Sequence, residues 1–386
     1  MKFRPNSRWM WALYVPLALS LALVALTWFA TNRFAGFGYA PDERSLARMH
    51  ASPHFHDGEF VNLEGTHVMR SGKTWEMLKR NFAGDEMRAP ICPLPLVRDA
   101  ARRLATPPAS GLRITWLGHS TTLVEIDGMR ILTDPIWSER SSPTTWVGPK
   151  RFHPPPLALA DVPHLDAVII SHEHFDHLDM ATVQALAPRG VPFHVPLGIG
   201  SHLRGWGVPD AQVHEHDWWE SESLPSGLRI VSTPSRHFNG RGAPGRTGTF
   251  WTSWSLIGPT HRVFFSGDTG LTEQFREIRR RFGPFDVGMF EIGQFDPLWS
   301  DIHLGPRGAL DAQEMLGARV MIPIHWATYQ LAFHSWSEPA ETLVREAALR
   351  TLPVLTPRLG EAIEPTANPH TEAWWRALPP IAARCP

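Results

Sequence analysis

The hydrophobic pattern is most extreme near the start of the chain, where positions 9–30 carry no charged side chain. As a helix rising ~1.5 Å per residue, this run would be about 33 Å long, which matches the apolar thickness of a bilayer. Basic residues favour the cytoplasmic side of a span, and this run is preceded by Lys2, Arg4 and Arg8. We therefore expect a single-pass membrane anchor, with the rest of the chain on the non-cytoplasmic side. A cleaved signal peptide is the alternative interpretation.

From residue 112 onward, short β-rich runs replace a mixed polar sequence. Runs 122–126 and 129–133 are joined by Asp127-Gly128, a dipeptide typical of a two-residue hairpin turn. Run 167–171 is almost entirely apolar, as expected for a strand inside a covered sheet. Further strands are predicted at 112–117, 191–195, 228–232, 249–257, 262–265, 287–290 and 319–324. Helices are predicted at 73–81, 180–187, 272–281, 307–316 and 339–350. This interleaving predicts an α/β protein with layered packing.

The same patterns divide the chain into four parts. Residues 1–30 form a short cytoplasmic stub and the membrane anchor or signal peptide. Residues 31–110 are expected to be an ordered extension that packs on the main domain, residues 111–365 the main domain, and residues 366–386 a C-terminal tail.

Composition narrows the possible functions. The chain has 37 Lys and Arg against 38 Asp and Glu, a net charge of -1, so its bulk charge gives no support for nucleic-acid binding. Cys92 and Cys385 are the two cysteines, which leaves no disulfide framework and no thiolate zinc site. The 20 histidines are unusual, and any metal must be held by histidines and carboxylates.

A dense group of metal-binding residue types follows run 167–171. His172, His174, Asp176 and His177 occur within six positions. Neighbouring ligands point in different directions from the chain, so one ion cannot readily take all four. We expect two ions, with the first pair of histidines on one and Asp176 and His177 on the other. A polar loop with solvated histidines is the alternative.

The His-x-His-x-Asp-His pattern at 172–177 resembles the signature of the metallo-β-lactamase fold. That resemblance implies an αββα sandwich and three further ligands, which occur downstream in the expected order and each beyond a predicted strand. His237 corresponds to the third histidine of the first metal, Asp268 to the bridging carboxylate, and His325 to the last histidine of the second metal. Two further residues are expected to orient ligands from behind, namely Asp134 and His119; for Asp134 an ordinary turn with Pro135 is the alternative.

The ligand set implies two metal ions, most consistent with Zn²⁺, although iron and manganese are not excluded by the residue types. Two divalent ions against two aspartates and one hydroxide leave a net positive charge of about one unit, which favours anionic substrates.

A narrower resemblance appears outside the ligands. The strings at 116–120, 132–136, 147–152, 193–198, 217–220 and 281–286 resemble the branch that hydrolyses N-acylphosphatidylethanolamine, a phospholipase D activity, over roughly residues 112–360. The resemblance implies a zinc-dependent phosphodiesterase acting on membrane phospholipid and not on nucleic acid. It would release phosphatidic acid and an N-acylethanolamine. A membrane anchor agrees with such a substrate.

The mechanism that this resemblance implies begins with attack of a metal-bridging hydroxide on phosphorus, with Asp176 and Asp268 holding the metals. His303 resembles an active-site histidine that contacts phosphate or protonates the leaving oxygen, although Gly305 departs from the family pattern. Arg241 and Arg246 are candidates for phosphate binding, with a solvated loop as the alternative.

Other functions use the same metals. A lactonase or another small-molecule ester hydrolase would differ in the shape of its cavity. A nucleic-acid phosphodiesterase and a non-catalytic membrane module that keeps the metals are further alternatives.

Overall fold

The computed structural model describes residues 14–20, 22, 34–84, 86–241, 248–367, 370–378 and 385. Most of the predicted membrane span at 9–30 lies outside these residues, and within it residues 14–20 are helical. In the part of the chain that is described, no helix combines the length and the apolar character needed to cross a bilayer. The anchor therefore gains no support from the described residues.

Fifteen strands and eight α-helices carry the described fold. The strands are β1 Phe55–His56, β2 Glu59–Phe60, β3 Leu112–Gly118, β4 Thr121–Ile126, β5 Met129–Thr133, β6 Ala167–Ile169, β7 Phe193–Pro196, β8 Val213–His216, β9 Ser221–Ser223, β10 Arg229–Thr233, β11 Ser253–Ile257, β12 Arg262–Phe265, β13 Phe285–Glu291, β14 Ala318–Ile324 and β15 Ala362–Ile363. The helices are α1 Glu43–Ala51, α2 Thr74–Ala83, α3 Ala100–Arg103, α4 Met180–Leu186, α5 Ile199–Gly205, α6 Gln274–Phe282, α7 Gly305–Leu316 and α8 Glu338–Arg350. Every strand and helix predicted from residue 73 onward is present, with bounds shifted by a few residues.

Thirteen of these strands, β3 to β15, form two mixed sheets. The first runs β15-β3-β4-β5-β6-β7-β8, and the second runs β14-β13-β12-β11-β10-β9. In the first sheet the hairpin of β4 and β5 is antiparallel, and its turn residues Asp127 and Gly128 have φ of 48° and 84°, the left-handed values that this turn needs. Strands β5 to β8 are parallel, as are β12 to β14. The carboxyl ends of the parallel strands therefore meet at one edge of each sheet.

Apolar side chains explain the layering. Trp116 and Ile114 of the first sheet share one buried cluster with Trp254 and Leu256 of the second, and this cluster continues to Leu310 of α7. On the other face of the first sheet, a separate cluster joins its strands to α4 and α5. Burying one such large apolar side chain stabilises the fold by about 1.5–3 kcal/mol. The layers are helix, sheet, sheet and helix, so the αββα arrangement is confirmed.

The segment before residue 111 lies against these layers. Asp42 caps α1 by accepting a hydrogen bond from the Ser45 amide at 2.8 Å, and it also accepts one from Arg204 of α5 at 2.6 Å. Met49 and Phe60 pack with Phe250 in a third buried cluster.

The two cysteines form a disulfide, although 293 positions separate Cys92 from Cys385. The sequence does not indicate this pairing, because nothing in the local pattern relates two such distant positions. The bridge joins the segment before the first sheet to the end of the chain.

Candidate metal centre

Strand ends bring the metal-binding residue types together. His172 to His177 follow β6, His237 follows β10, Asp268 follows β12 and His325 follows β14 directly. His325 has φ of 66°, a left-handed conformation that costs a non-glycine residue about 1–3 kcal/mol. Such strain persists where the surrounding structure holds the residue in place, as neighbouring strands do here.

One group of four ligand atoms contains three histidines and an aspartate. His172, His174, His237 and Asp268 each offer an atom within 4.8 Å of the others. Nδ1 of His174 lies 2.9 Å from Nε2 of His172 and 3.2 Å from Nε2 of His237. All of these are residues predicted for the first metal.

A second group adjoins the first. It contains His119, Asp176, His177 and His325, again with ligand atoms within 4.8 Å of one another. Oδ2 of Asp176 lies 2.9 Å from Nε2 of His119 and 3.3 Å from Nε2 of His325.

Asp268 lies between the two groups. Its Oδ2 is 3.2 Å from Nε2 of both His177 and His325, and 3.8 Å from Nε2 of His172. A carboxylate in this position can contact an ion in either group, as predicted for the bridging ligand.

Side chains behind the ligands fix the direction of their nitrogens. Oδ2 of Asp134 lies 2.6 Å from Nδ1 of His177, while its Oδ1 accepts a hydrogen bond from the Ser171 amide at 2.7 Å. His237 donates from Nδ1 to the carbonyl of Ile302 at 3.0 Å. In both histidines Nε2 is left to face the centre, which is the usual arrangement of a metal-ligating imidazole.

Two buried polar atoms without a hydrogen-bond partner indicate that metal ions fit this centre. Nε2 of His177 and Oδ1 of Asp268 are buried and have no hydrogen-bond partner among the described residues. Buried polar atoms are rarely left unpaired, and these are the atoms that a cation would contact. Imidazole nitrogens with carboxylate oxygens suit zinc, iron or manganese. The residues therefore fit two divalent ions, and their identity is not fixed by the donor set.

Burial and neighbouring charges shift the pKa of several groups at the centre. Burial opposes the charge of both buried histidines, but the nearby Asp268 and Asp176 carboxylates raise the pKa of His177 well above its usual value and that of His325 to about 10. Burial lowers the pKa of His119 to about 3 and of His174 to about 4. Despite burial, the surrounding histidines hold the pKa of Asp268 well below its usual range. Two carboxylates thus remain ionised inside the protein and attract positive charge.

A cavity of about 280 Å³ opens onto this centre. Its lining contains His174, Asp176, Asp268 and His325 beside apolar residues, among which are Val68, Met69, Phe238, Trp299 and Leu331. His303 also lines it, with Nδ1 3.2 Å from Oε1 of Glu291 and 4.0 Å from Oδ2 of Asp268.

The structure bears on three further expectations. His119 was expected to orient ligands from behind, and its Nε2 lies 2.9 Å from Oδ2 of the predicted ligand Asp176. His119 also belongs to the second group of potential ligand atoms, which the sequence analysis did not predict. Arg241 is absent from the cavity lining that the structure describes, because its buried guanidinium donates to the carbonyls of Glu173, Gly36 and Leu178. Arg246 lies outside the described residues.

Glu291 is a residue beside the centre that the sequence analysis did not predict. It is buried at the end of β13, where its carboxylate accepts a hydrogen bond from the amide of Leu304 at 2.6 Å beside its contact with His303. Its position at the end of a predicted strand was the available signal, and the predicted metal ligands also follow strands.

The chain is similar in sequence and in fold to several known proteins. A family described as the beta-lactamase superfamily domain matches residues 129–326. An uncharacterized protein of Mycobacterium tuberculosis strain H37Rv is 43% identical over 336 residues, covering 84% of this chain and 88% of that protein. The N-acyl-phosphatidylethanolamine-hydrolyzing phospholipase D 1 of Caenorhabditis elegans is 37% identical over 233 residues, covering 58% of this chain and 65% of that protein. The crystal structure of a possible metal-dependent hydrolase from Veillonella parvula shares the fold, with a TM-score of 0.53 at 18% identity over 65% of this chain and 98% of that one.

Proposed function

Since the chain belongs to the beta-lactamase superfamily domain family, as its motifs predicted, we propose that this metal-dependent hydrolase cleaves the phosphodiester bond of N-acylphosphatidylethanolamine or a related phospholipid. The observation that carries the proposal is a cavity lined by both metal-binding residues and apolar residues. An anionic phosphodiester attached to apolar chains combines the same two kinds of chemistry. The relative from Caenorhabditis elegans, named for hydrolysis of this lipid, supports the choice.

Apolar surface beside the cavity supports a substrate drawn from a membrane. Val68 and Met69, which line the cavity, are also exposed. The neighbouring helix α2 exposes Trp75 and Phe82 by 68% and 83% of their surface. This helix is fastened near the cavity by Arg80, which forms an ion pair with the buried Asp296 at 2.7 Å. Large apolar side chains on a helix surface are typical of proteins that rest on a lipid interface.

In the proposed reaction, zinc ions held by the two ligand groups would supply Lewis-acid stabilisation of the phosphoryl oxygens and lower the pKa of water. The residues of the chain orient the reactants. Asp134 keeps Nε2 of His177 directed at the centre, and Glu291 holds Nδ1 of His303. A proton on Nε2 of His303 would then be available for the leaving alkoxide oxygen.

Localisation follows the same proposal. The predicted anchor within residues 1–30 would hold the cavity close to its lipid, on the non-cytoplasmic side. Phospholipid and membrane are the proposed partners, and the neutral overall charge argues against nucleic acid.

The experiment that tests this function compares four substrates with purified protein, with and without a chelator. N-acylphosphatidylethanolamine should yield phosphatidic acid, and chelation should abolish the release. Phosphatidylethanolamine, a lactone and bis-p-nitrophenyl phosphate measure head-group choice, carbon-oxygen hydrolysis and general phosphodiesterase activity. Lactone opening without any phosphatidic acid would reject the phospholipase assignment and favour the lactonase alternative.

Two substitutions test the dinuclear mechanism. His177→Ala removes a nitrogen ligand, and Asp268→Asn replaces the shared carboxylate with an amide that carries no charge. We expect turnover to fall by at least about 10²-fold in each, since transition-state charge would lose its metal partner. Zinc content measured on the same samples should fall as well. Wild-type turnover in either variant would contradict the mechanism.

A further inference from the structure

A second histidine cluster lies away from the cavity, where the open edges of the two sheets face each other. Strand β8 is the edge of the first sheet and β9 the edge of the second. His194 on β7 and His216 on β8 project towards Glu222 on β9. Three elements from two sheets thus converge on one point.

Two distances within this cluster bracket the spacing of ligand atoms around a zinc ion. Nδ1 of His194 lies 3.0 Å from Nε2 of His216 and 3.8 Å from Oε2 of Glu222. A tetrahedral zinc ion with bonds of about 2.0–2.1 Å separates its ligand atoms by about 3.3–3.4 Å. That spacing falls between the two observed distances, so an ion needs only small side-chain shifts to fit.

The chemistry of the three residues also suits a cation. Both imidazoles are buried, and a neutral imidazole nitrogen can donate an electron pair to a cation. His214 lies behind the carboxylate, with Nδ1 2.9 Å from Oε2 of Glu222. Two histidines and one glutamate are a known zinc ligand set that leaves a fourth position open.

The open position faces a cavity of about 800 Å³ lined by His214, His216 and Glu222. Two other carboxylates that line it are already engaged. Glu215 accepts hydrogen bonds from Ser45 and from the amide of Gly198, while Glu220 pairs with Arg48 and accepts from the amide of Asp217. Glu222 differs from these two carboxylates because its contacts are with histidines, namely His194 at 3.8 Å and His214 at 2.9 Å.

We propose that His194, His216 and Glu222 form a third metal site, selective for zinc or a similar divalent transition metal, with its open position towards this cavity. The site is independent of the dinuclear centre and of the lipid substrate. Since β8 and β9 belong to different sheets, a bound ion would join the two sheet edges. A bound ion would then stabilise the folded protein by an amount that grows with the logarithm of the ion's concentration over its Kd.

Metal counting tests the proposal on the full chain. After removal of all metal and equilibration with excess Zn²⁺ followed by dialysis, we expect about three equivalents in the wild type. Glu222→Gln, a substitution at a side chain with 39% of its surface exposed, should retain about two. The matched control Glu220→Gln removes a carboxylate from the same cavity and should still bind about three.

Two readouts separate this site from the dinuclear centre. The Glu222→Gln variant should keep the hydrolytic activity of the wild type, because none of its atoms contacts the catalytic cavity. Relative to the wild type, Glu222→Gln or His216→Gln should lose the visible Co²⁺ absorption of one four-coordinate ion. A wild type that binds only two equivalents would overturn the proposal and leave a hydrogen-bonded histidine pair. So would a Co²⁺ absorption that is the same in both variants as in the wild type.

Discussion

Asp134 sets the direction of a buried imidazole in the candidate metal centre. Its two oxygens accept hydrogen bonds from the amide and hydroxyl of Ser171 and from Nδ1 of His177. Burial raises the pKa of this carboxyl, while His177 and Ser171 act against the increase. Because Nδ1 keeps its proton in this contact, Nε2 is the nitrogen that offers a lone pair to a metal once its own proton has been lost.

We expect Asp134→Asn to weaken metal binding or turnover by about 10–100-fold. The amide has one acceptor oxygen, so its NH₂ group must face either Ser171 or Nδ1 of His177. If it faces His177, the proton moves to Nε2 and the metal loses its ligand. Competition with a chromophoric chelator measures the affinity.

Asp127 offers a matched control for this experiment. It also contacts a histidine, with Oδ1 2.6 Å from Nδ1 of His261, but it lies outside the metal-binding groups. Asp127→Asn should leave metal affinity unchanged. An equal loss in both variants would mean that Asp134 acts through general stability.

Protonation of the centre gives a prediction about pH. In metal-free protein, the raised pKa values of His177 and His325 keep both rings charged at pH 7. To bind an ion through Nε2, both must lose that proton, so metal loading at pH 7 should release about two protons per chain. Affinity should therefore increase with pH up to the pKa of His325, about 10. Calorimetry in buffers of different ionisation enthalpy counts the protons, and no dependence on the buffer would contradict the prediction.

At the scale of elements, Arg241 holds the loop between β6 and α4 that carries the first ligands. Its guanidinium contacts the carbonyls of Glu173 and Leu178 within that loop and lies 4.3 Å from the ring centre of Phe175. The carboxylate of Glu173 in turn accepts hydrogen bonds from the amides of Gly240 and Arg241, both at 3.1 Å. The two segments thus fix each other.

Arg241→Ala should lower the free energy of unfolding by about 3 kcal/mol or more, because several buried carbonyls lose their donor. Denaturant unfolding measures this loss. The control is Arg276→Ala, which breaks an exposed ion pair with Glu273 at 3.0 Å and should cost less than about 1 kcal/mol. Similar losses in the two variants would contradict the role of Arg241.

These elements also show what the sequence can predict. Strands such as β12 and β14 were predicted because short apolar runs encode them locally. The cluster at 172–177 was predicted from its density of ligand types, and His237, Asp268 and His325 were predicted from the resemblance to the metallo-β-lactamase fold. Arg241 was misjudged since its partners are backbone carbonyls, which no residue pattern identifies. The cluster of His194, His216 and Glu222 depends on how two sheets pack, and that packing is not encoded in any one segment.

At the scale of the whole molecule, the disulfide between Cys92 and Cys385 closes a loop of 293 positions. Such a link restricts the unfolded chain much more than the folded one. Cys92→Ser should therefore lower the free energy of unfolding by about 2–5 kcal/mol. Thermal unfolding with and without a reductant measures the effect. The wild type should lose stability on reduction and the variant should not; a wild type indifferent to the reductant would contradict the bridge.

The same bridge makes most of the protein a covalent ring. A protease that cuts the backbone once between Cys92 and Cys385 would open the ring without separating its pieces. Non-reducing electrophoresis would then show one band of full mass, and reducing electrophoresis two fragments. The two segments on either side of such a cut would stay covalently linked through the disulfide. All the candidate metal ligands would therefore remain in a single molecule after the peptide bond is broken.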